Sequence, residues 1–347
     1  MVFLDYASTC PIVKFSSQQH DGFQCNPNAA YAYVERKVLM GCEERIKAAI
    51  GVKGGHVLYF RCATEAIDLL LHETDNWNDT WGHSPYEHDA CLFGIRRLPD
   101  KLMSLDFYIH QWVNHITGEI FDLKTIRSQL PETCKLIVDA TAGFGKAKLP
   151  SGLDNIADAL FMSGHKIGCP ELSFMWLSDT LCEWLGAAKD IRNQWGLHHG
   201  SLSVASVLAL TDAVEWACEN GDRVDGHSVR LYVQMNNLLD KARIEHYDVI
   251  EHHDVLEHQM FTCSINAIRL NGINADALQQ FLASRGIYVG VGGSACSAAH
   301  DYRVLRAYGL TDDEAAEVIR VSFGDETTVS DIEALVEGIK EYRRQFC

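Results

Sequence analysis

No apolar run in this 347-residue sequence approaches the roughly 20 residues that span a bilayer. Its first residues, Met1-Val2-Phe3-Leu4-Asp5, carry neither the basic nor the apolar segment of a secretory leader, so a cytoplasmic location without membrane attachment is expected. Positive charge is short as well. Against 47 Asp and Glu stand 30 Lys and Arg, and the net charge of −17 repels a phosphate backbone. Direct nucleic-acid binding is therefore not expected, and small molecules or proteins fit better as partners. There is no Cys-x-x-Cys pair among the twelve cysteines, which argues against a disulfide framework and a zinc ribbon and leaves most of them as small core fillers. Repeats and low-complexity segments are absent too. The histidines of Glu251-His252-His253-Asp254 with His258, and the pair His198-His199, meet no zinc pattern and read as solvated surface; no metal is expected.

What is present is enough apolar residue, 47% against 22% charged, for a substantial core divided between two domains. Short β-branched runs alternate with amphipathic stretches, the pattern of an α/β domain with a mostly parallel sheet. Strands are expected at Val57-Leu58-Tyr59-Phe60, Phe107-Tyr108-Ile109-His110, Leu136-Ile137-Val138 and Leu160-Phe161-Met162. Helices are expected over residues 34–50, stopped by Gly51, from near Thr64, and beyond Val204 with Ala209, Ala213 and Trp216 on one face. Glu219-Asn220-Gly221-Asp222 reads as a polar break leading to a second, α+β domain. That domain holds strands at residues 261–265 and 287–291 and helices at 276–285 and 331–346. The expected division is a large domain over 12–222 and a small one over 1–11 and 223–347.

Several segments then fall where chemistry needs them. Ser163-Gly164-His165-Lys166 follows the run Leu136-Ile137-Val138-Asp139, a lysine on a tight turn and an acid at a strand end. Pyridoxal phosphate chemistry needs both: an amine for the cofactor aldehyde and a carboxylate for its pyridine nitrogen. Cys62-Ala63-Thr64-Glu65 opens a helix, where free amides and the Thr64 hydroxyl suit a phosphate, although a plain N-cap needs the same residue. His88 could stack on a ring or be an ordinary half-buried histidine. Arg320 stands at an apolar strand position in Ile319-Arg320-Val321-Ser322-Phe323-Gly324, where it needs a substrate carboxylate or a structural acid as partner. Cys296 lies in the Gly-, Ala- and Ser-rich segment 290–299, either an accessible nucleophile or a small residue in a turn.

Together these residues resemble the cysteine desulfurases of the class V aminotransferase group, pyridoxal-phosphate enzymes of fold type I. The resemblance spans nearly the whole chain. It runs from Phe3-Leu4-Asp5-Tyr6-Ala7-Ser8-Thr9-Cys10-Pro11 through Ala63-Thr64-Glu65, Val138-Asp139-Ala140 and Ser163-Gly164-His165-Lys166-Ile167 to Gly293-Ser294-Ala295-Cys296 and the Arg320 segment. It implies an α/β large domain on a mostly parallel, seven-stranded-type sheet and a smaller α+β C-terminal domain. By this resemblance Lys166 binds the cofactor aldehyde, Asp139 its pyridine nitrogen and His88 its ring. Ala63, Thr64, Ser163 and His165 surround the phosphate, and Ser201 reaches it from a second subunit, which implies a homodimer with shared active sites. His115 falls near the cofactor's phenolic oxygen, Arg320 and Asn114 take the substrate, and Cys296 receives its sulfur as a persulfide. The implied reaction converts L-cysteine to L-alanine and passes sulfur to an acceptor protein, either an iron–sulfur scaffold or a tRNA-thiolating enzyme.

The sequence also departs from that family. His115 stands where an asparagine is usual and Ala142 where a glutamine or histidine is usual, so both partners of the phenolic oxygen differ. Arg61-Cys62 replaces Ser-Gly beside the expected phosphate, and the chain is shorter between His88 and Asn114. The stretch from Cys296 to Val304 is about two residues shorter than in members with a long mobile loop. His300 is a candidate to take the Cys296 proton. Other readings are a related lyase, such as a selenocysteine lyase, that does not use Cys296, and a non-catalytic relative.

Overall fold

A computed structural model of the chain describes residues 1–20, 22–23, 25–76, 79–92, 95, 105–250, 260–291 and 302–347. Cys296, His300, most of the segment 290–299 and the cluster from Glu251 to His258 lie outside the described residues. The chain forms two compact units, one of Ile12–Trp112 and Asp122–Asn220 and one of Met1–Pro11, Val113–Phe121 and Gly221–Cys347. Residues 113–121, expected within the large domain, thus belong to the smaller unit, because Met260–Phe261 pairs with Glu119–Ile120 there.

In the larger unit six strands lie in the order His56–Phe60, Ser173–Leu177, Ala159–Met162, Lys135–Asp139, Phe107–Gln111 and Trp81–His83. Seven were expected; six are present among the described residues. The last four are mutually parallel, and Ser173–Leu177 is antiparallel to both its neighbours. Five strands therefore point one way, and their carboxyl ends share one edge of the sheet. The inner strands are continuously apolar, as strands covered on both faces are. Leu58, Phe60, Phe107, Ile109, Ile137, Phe161 and Met175 share a core with Ile67 and Leu70 of the Ala63–Asn76 helix.

His56–Phe60 is the terminal strand of this sheet, and a side chain satisfies its outer side. The amide of Gln194 accepts from the N–H of Tyr59 at 2.6 Å and donates to its C=O at 3.2 Å. Asn193, Gln194 and Trp195 all take left-handed backbone angles, φ 51°, 50° and 60°, to deliver that amide, and Trp195 stacks on His56 at 3.8 Å.

In the smaller unit a five-stranded sheet runs Val2–Leu4, Ile287–Val291, Val318–Ser322, Ile265–Leu270, His246–Asp248. The Ala275–Ala283 and Val329–Phe346 helices complete it, and they share one apolar core with the first four of these strands. Two expectations are corrected. Residues 261–265 are not one strand: Met260–Phe261 ends at a turn in which Ile265 N–H donates to the Thr262 carbonyl, and Ile265–Leu270 starts afresh. Nor do residues 219–222 break the helix, which runs unbroken as Val204–Lys241. A buried stripe through Ala213, Ala217, Val224, Ser228, Leu231, Met235 and Leu239 keeps helical spacing, and it outweighs the local polar composition.

Candidate active site

Ser163 and Lys166 lie on the ten-residue connection between two antiparallel neighbours, Ala159–Met162 and Ser173–Leu177. The connection is tight. Gly164–Ile167 forms a 3₁₀ turn in which Lys166 N–H donates to the Ser163 carbonyl at 3.2 Å, and Cys169 N–H donates to Gly164 at 2.9 Å. Only glycine fits at 164, since a Cβ there would fall 2.0 Å from the Leu172 carbonyl oxygen and 2.5 Å from that of Cys169. Gly164 N–H also donates to Ser173 Oγ at 3.3 Å. Behind the turn, Lys14 and Phe15 N–H both donate to the Gly168 carbonyl. The result is a fixed backbone carrying a buried lysine, 8% exposed.

On the adjacent parallel strand Asp139 is in register with Phe161, two residues before Ser163, so Asp139 and the lysine turn leave the sheet at the same end. Asp139 is buried; its Oδ1 accepts from Thr141 N–H at 2.8 Å, and Cys91 Sγ faces its Oδ2 at 3.8 Å. Thr141 Oγ1 is buried and has no hydrogen-bond partner among the described residues. Ala142 is buried beside it. His88 follows the Trp81–His83 strand, and its Nδ1 accepts from Ala90 N–H at 3.1 Å, which leaves Nε2 as the protonated nitrogen of the neutral ring. The neighbouring Glu87 anchors this segment, accepting from Ser84 Oγ and, at 3.0 Å, from Gln111 N–H. Ala63 and Thr64 open a helix after the His56–Phe60 strand, with Thr64 exposed. Glu65 folds back to accept from Arg61 N–H at 2.7 Å. Ser201 is exposed just before the Val204–Lys241 helix.

Burial, reinforced by Lys166 and Lys146, pushes the His165 imidazole down from its ordinary 6.5 to about 4. It is a neutral hydrogen-bonding group at neutral pH. His110 is shifted by burial in the same direction, also to about 4, against the opposing hydrogen bond of its Nδ1 with the Gln111 carbonyl. The native state thus disfavours protonated His110, while the unfolded chain protonates it near pH 6.5. Stability is complete above that value and is lost as pH falls toward about 4, by roughly 3 kcal/mol. Urea midpoints at pH 7.5 and 4.5 should show this, and His110→Asn should reduce the difference, leaving the share that His165 contributes; an unchanged difference would count against the assignment.

Asn114, His115 and Arg320 belong to the smaller unit. Asn114 Oδ1 accepts from Ile116 and Thr117 N–H at 2.8 and 3.0 Å, closing the turn, while its Nδ2 is buried without a partner among the described residues. Arg320, 1% exposed in the Val318–Ser322 strand, donates to the His115 carbonyl, to Asp5 and to Ser8. The sequence left open a structural acid or a ligand as its partner; within the chain the acid is Asp5. Asp5, Glu87, Cys91 and Thr141 were not identified as site residues from the sequence. Glu87 had a signal in its place beside His88, and Cys91 had none. Among the described residues no three His, Cys, Asp or Glu side chains gather as a metal site would require, and no helix is long and apolar enough to cross a membrane.

A mostly parallel sheet with Thr64, His88, Asp139 and Lys166 all following carboxyl ends of strands that run one way is the layout of a fold type I pyridoxal-phosphate-dependent enzyme. The chain belongs to the Aminotransferase class-V family, whose sequence pattern it matches over residues 106–335. Among named proteins it is similar to the cysteine desulfurases IscS of Mannheimia succiniciproducens and Actinobacillus succinogenes. Each is 27% identical, over 98% of this chain and 92% of theirs. Among solved structures, the NifS-like protein of Rickettsia africae shares its fold, with a TM-score of 0.80 at 19% identity over 99% of both chains.

Proposed function

We propose that the chain is a pyridoxal-phosphate-dependent cysteine desulfurase, converting L-cysteine to L-alanine and holding the sulfur as a persulfide on Cys296. The observation that carries this is Lys166, buried on a turn that tolerates only glycine at 164, at the same sheet end as Asp139. The residues fit the cofactor: a buried amine, a buried carboxylate held by a backbone N–H, and a buried hydroxyl at Thr141 that lacks a partner among the described residues. Lys166 would bind the aldehyde, Asp139 the pyridine nitrogen and His88 the ring. Ala63, Thr64, Ser163 and neutral His165 would surround the phosphate, and His115 would lie near the phenolic oxygen. Bound pyridoxal phosphate would supply a sink for the electron pair left when the substrate loses its Cα proton.

The side chains do the rest. Arg320, with Asn114, binds the amino acid through its carboxylate. Lys166 would take the Cα proton on its Nζ and could return it. Asp139 would hold the pyridine nitrogen of the bound cofactor in its protonated form. The Cys296 thiolate forms a bond to the substrate sulfur while the C–S bond breaks; the electron pair stays on carbon, which takes up a proton to give L-alanine. The persulfide then passes to an acceptor protein, a scaffold or a tRNA-thiolating enzyme. Exposed Ser201 and the exposed Tyr31, Tyr33, Val34 and Met40 support a homodimer in which Ser201 reaches the partner's cofactor phosphate. Twelve cysteines without a Cys-x-x-Cys pair support a cytoplasmic, reducing location.

The test is L-alanine formation from L-cysteine by the cofactor-loaded protein, with persulfide detected by mass. Wild type should yield both, and Cys296→Ala neither. Equal alanine from both would assign Cys296 no part and favour a lyase such as a selenocysteine lyase. Absence of bound cofactor would favour a non-catalytic relative.

A further inference from the structure

Arg320 is the largest charged side chain in the interior of the smaller unit, and its hydrogens are mostly assigned. Nη2 donates to Asp5 Oδ1 at 2.7 Å and to Ser8 Oγ at 2.6 Å, and Nη1 donates to the His115 carbonyl at 2.9 Å. Nε is buried without a partner among the described residues. Gly290 leaves the space beside it: a Cβ there would lie 2.9 Å from Nε and 3.0 Å from Asp5 Oδ1.

Asp5 is no loose surface acid. The Val2–Leu4 strand pairs in parallel with Ile287–Val291, with Leu4 in the core, and carries the chain to a bridge between Asp5 and Ser322. There the backbone turns, Ser8 and Thr9 N–H donating to the Asp5 carbonyl and Ala7 N–H to Ser322 Oγ at 2.8 Å. The carboxylate is thereby held at the guanidinium by residues 315 positions away in sequence.

A carboxylate that binds arginine in a fork needs two parallel N–H donors. Either fork of a guanidinium, Nε with Nη2 or Nη1 with Nη2, uses Nη2, and both Nη2 hydrogens here are engaged. We propose that Asp5 is the resident carboxylate of Arg320, and that a carboxylate-bearing substrate binds in competition with it, taking an Nη2 hydrogen now held by Asp5 or Ser8. Asp5 thereby sets the affinity for the amino acid's carboxylate. This rests on the reading of Arg320 as the residue that takes that carboxylate.

The substitution Asp5→Asn keeps an oxygen acceptor and removes the charge. Calorimetric titration of the cofactor-loaded protein with propanoate, which offers a carboxylate but neither amine nor thiol, reads the effect. Asp5→Asn should lower Kd by about tenfold to a hundredfold, the upper figure being the effect of a like charge roughly 5–6 Å away at an effective dielectric of about 20. Ser8→Ala should lower it a few-fold, about what releasing one hydrogen bond allows, and KM for L-cysteine should fall with Kd. A Kd unchanged or raised in folded Asp5→Asn overturns the proposal. Should that variant not fold, an unchanged Kd in Ser8→Ala overturns it instead. Arg320→Lys separates the two levels. If it binds propanoate as wild type does, the carboxylate sits elsewhere and both readings fall. If it loses binding while Asp5→Asn has no effect, only the competition falls.

Discussion

Replacing Lys166 with alanine should leave a folded protein that holds no covalent cofactor and forms L-alanine from L-cysteine at least roughly 10³-fold more slowly. The size of the effect follows from the two tasks proposed for one amine, attachment of the aldehyde and transfer of the Cα proton. The adjacent His165 cannot take over the proton transfer: it is held neutral, and its pKa near 4 makes it a weak base. The fold should survive, since Lys166 contributes its backbone N–H to the turn and an alanine keeps that. Visible absorbance of the dialysed protein and the alanine assay together check this. Wild-type turnover by the variant would remove Lys166 from the chemistry altogether.

A methyl group at position 164 should do the opposite, damaging the structure first and the chemistry as a consequence. The Cβ of Gly164→Ala would stand 2.0 Å from one carbonyl oxygen and 2.5 Å from another, both backbone atoms that no rotamer change can move. Relief requires the 163–172 connection to open, which breaks the Gly164 N–H bond to Ser173 and displaces Lys166. Overpacking against side chains costs about 1–3 kcal/mol, and against backbone the upper end or more is expected. Thermal unfolding should show a clear loss of stability, with cofactor uptake falling in parallel. A variant as stable as wild type, with full cofactor uptake, would mean that the turn is not as tight as described.

The strands of the larger unit were readable because covered parallel strands are written as unbroken apolar runs, and Leu136-Ile137-Val138 and Leu160-Phe161-Met162 both lie inside the strands observed. The Tyr33–Ile50 helix and its left-handed Gly51 stop, φ 77°, were readable for similar local reasons. Reading failed where tertiary packing overrides local composition. Glu219-Asn220-Gly221-Asp222 has the composition of a loop, but one buried stripe carries the helix through it. Residues 113–121 could not be assigned to the smaller unit without knowing that Glu119 and Ile120 pair with Phe261 and Met260. The need of Arg320 for a partner was legible from a charge at an apolar strand position. That the partner is Asp5 was not, because nothing local links residues 315 apart. Cys91 beside Asp139 is the same case, two separate segments meeting at a strand end.

A sheet that ends in an unpaired strand offers its free N–H and C=O groups to any extended chain nearby, and proteins blunt such margins to stay monodisperse. Here a single carboxamide occupies the position a neighbouring strand would take at Tyr59. Gln194→Ala would therefore reveal itself less in the melting temperature than in light scattering on storage or refolding, as one chain's bared margin recruits another. Fidelity of assembly then depends in part on one amide that has no role in the proposed chemistry.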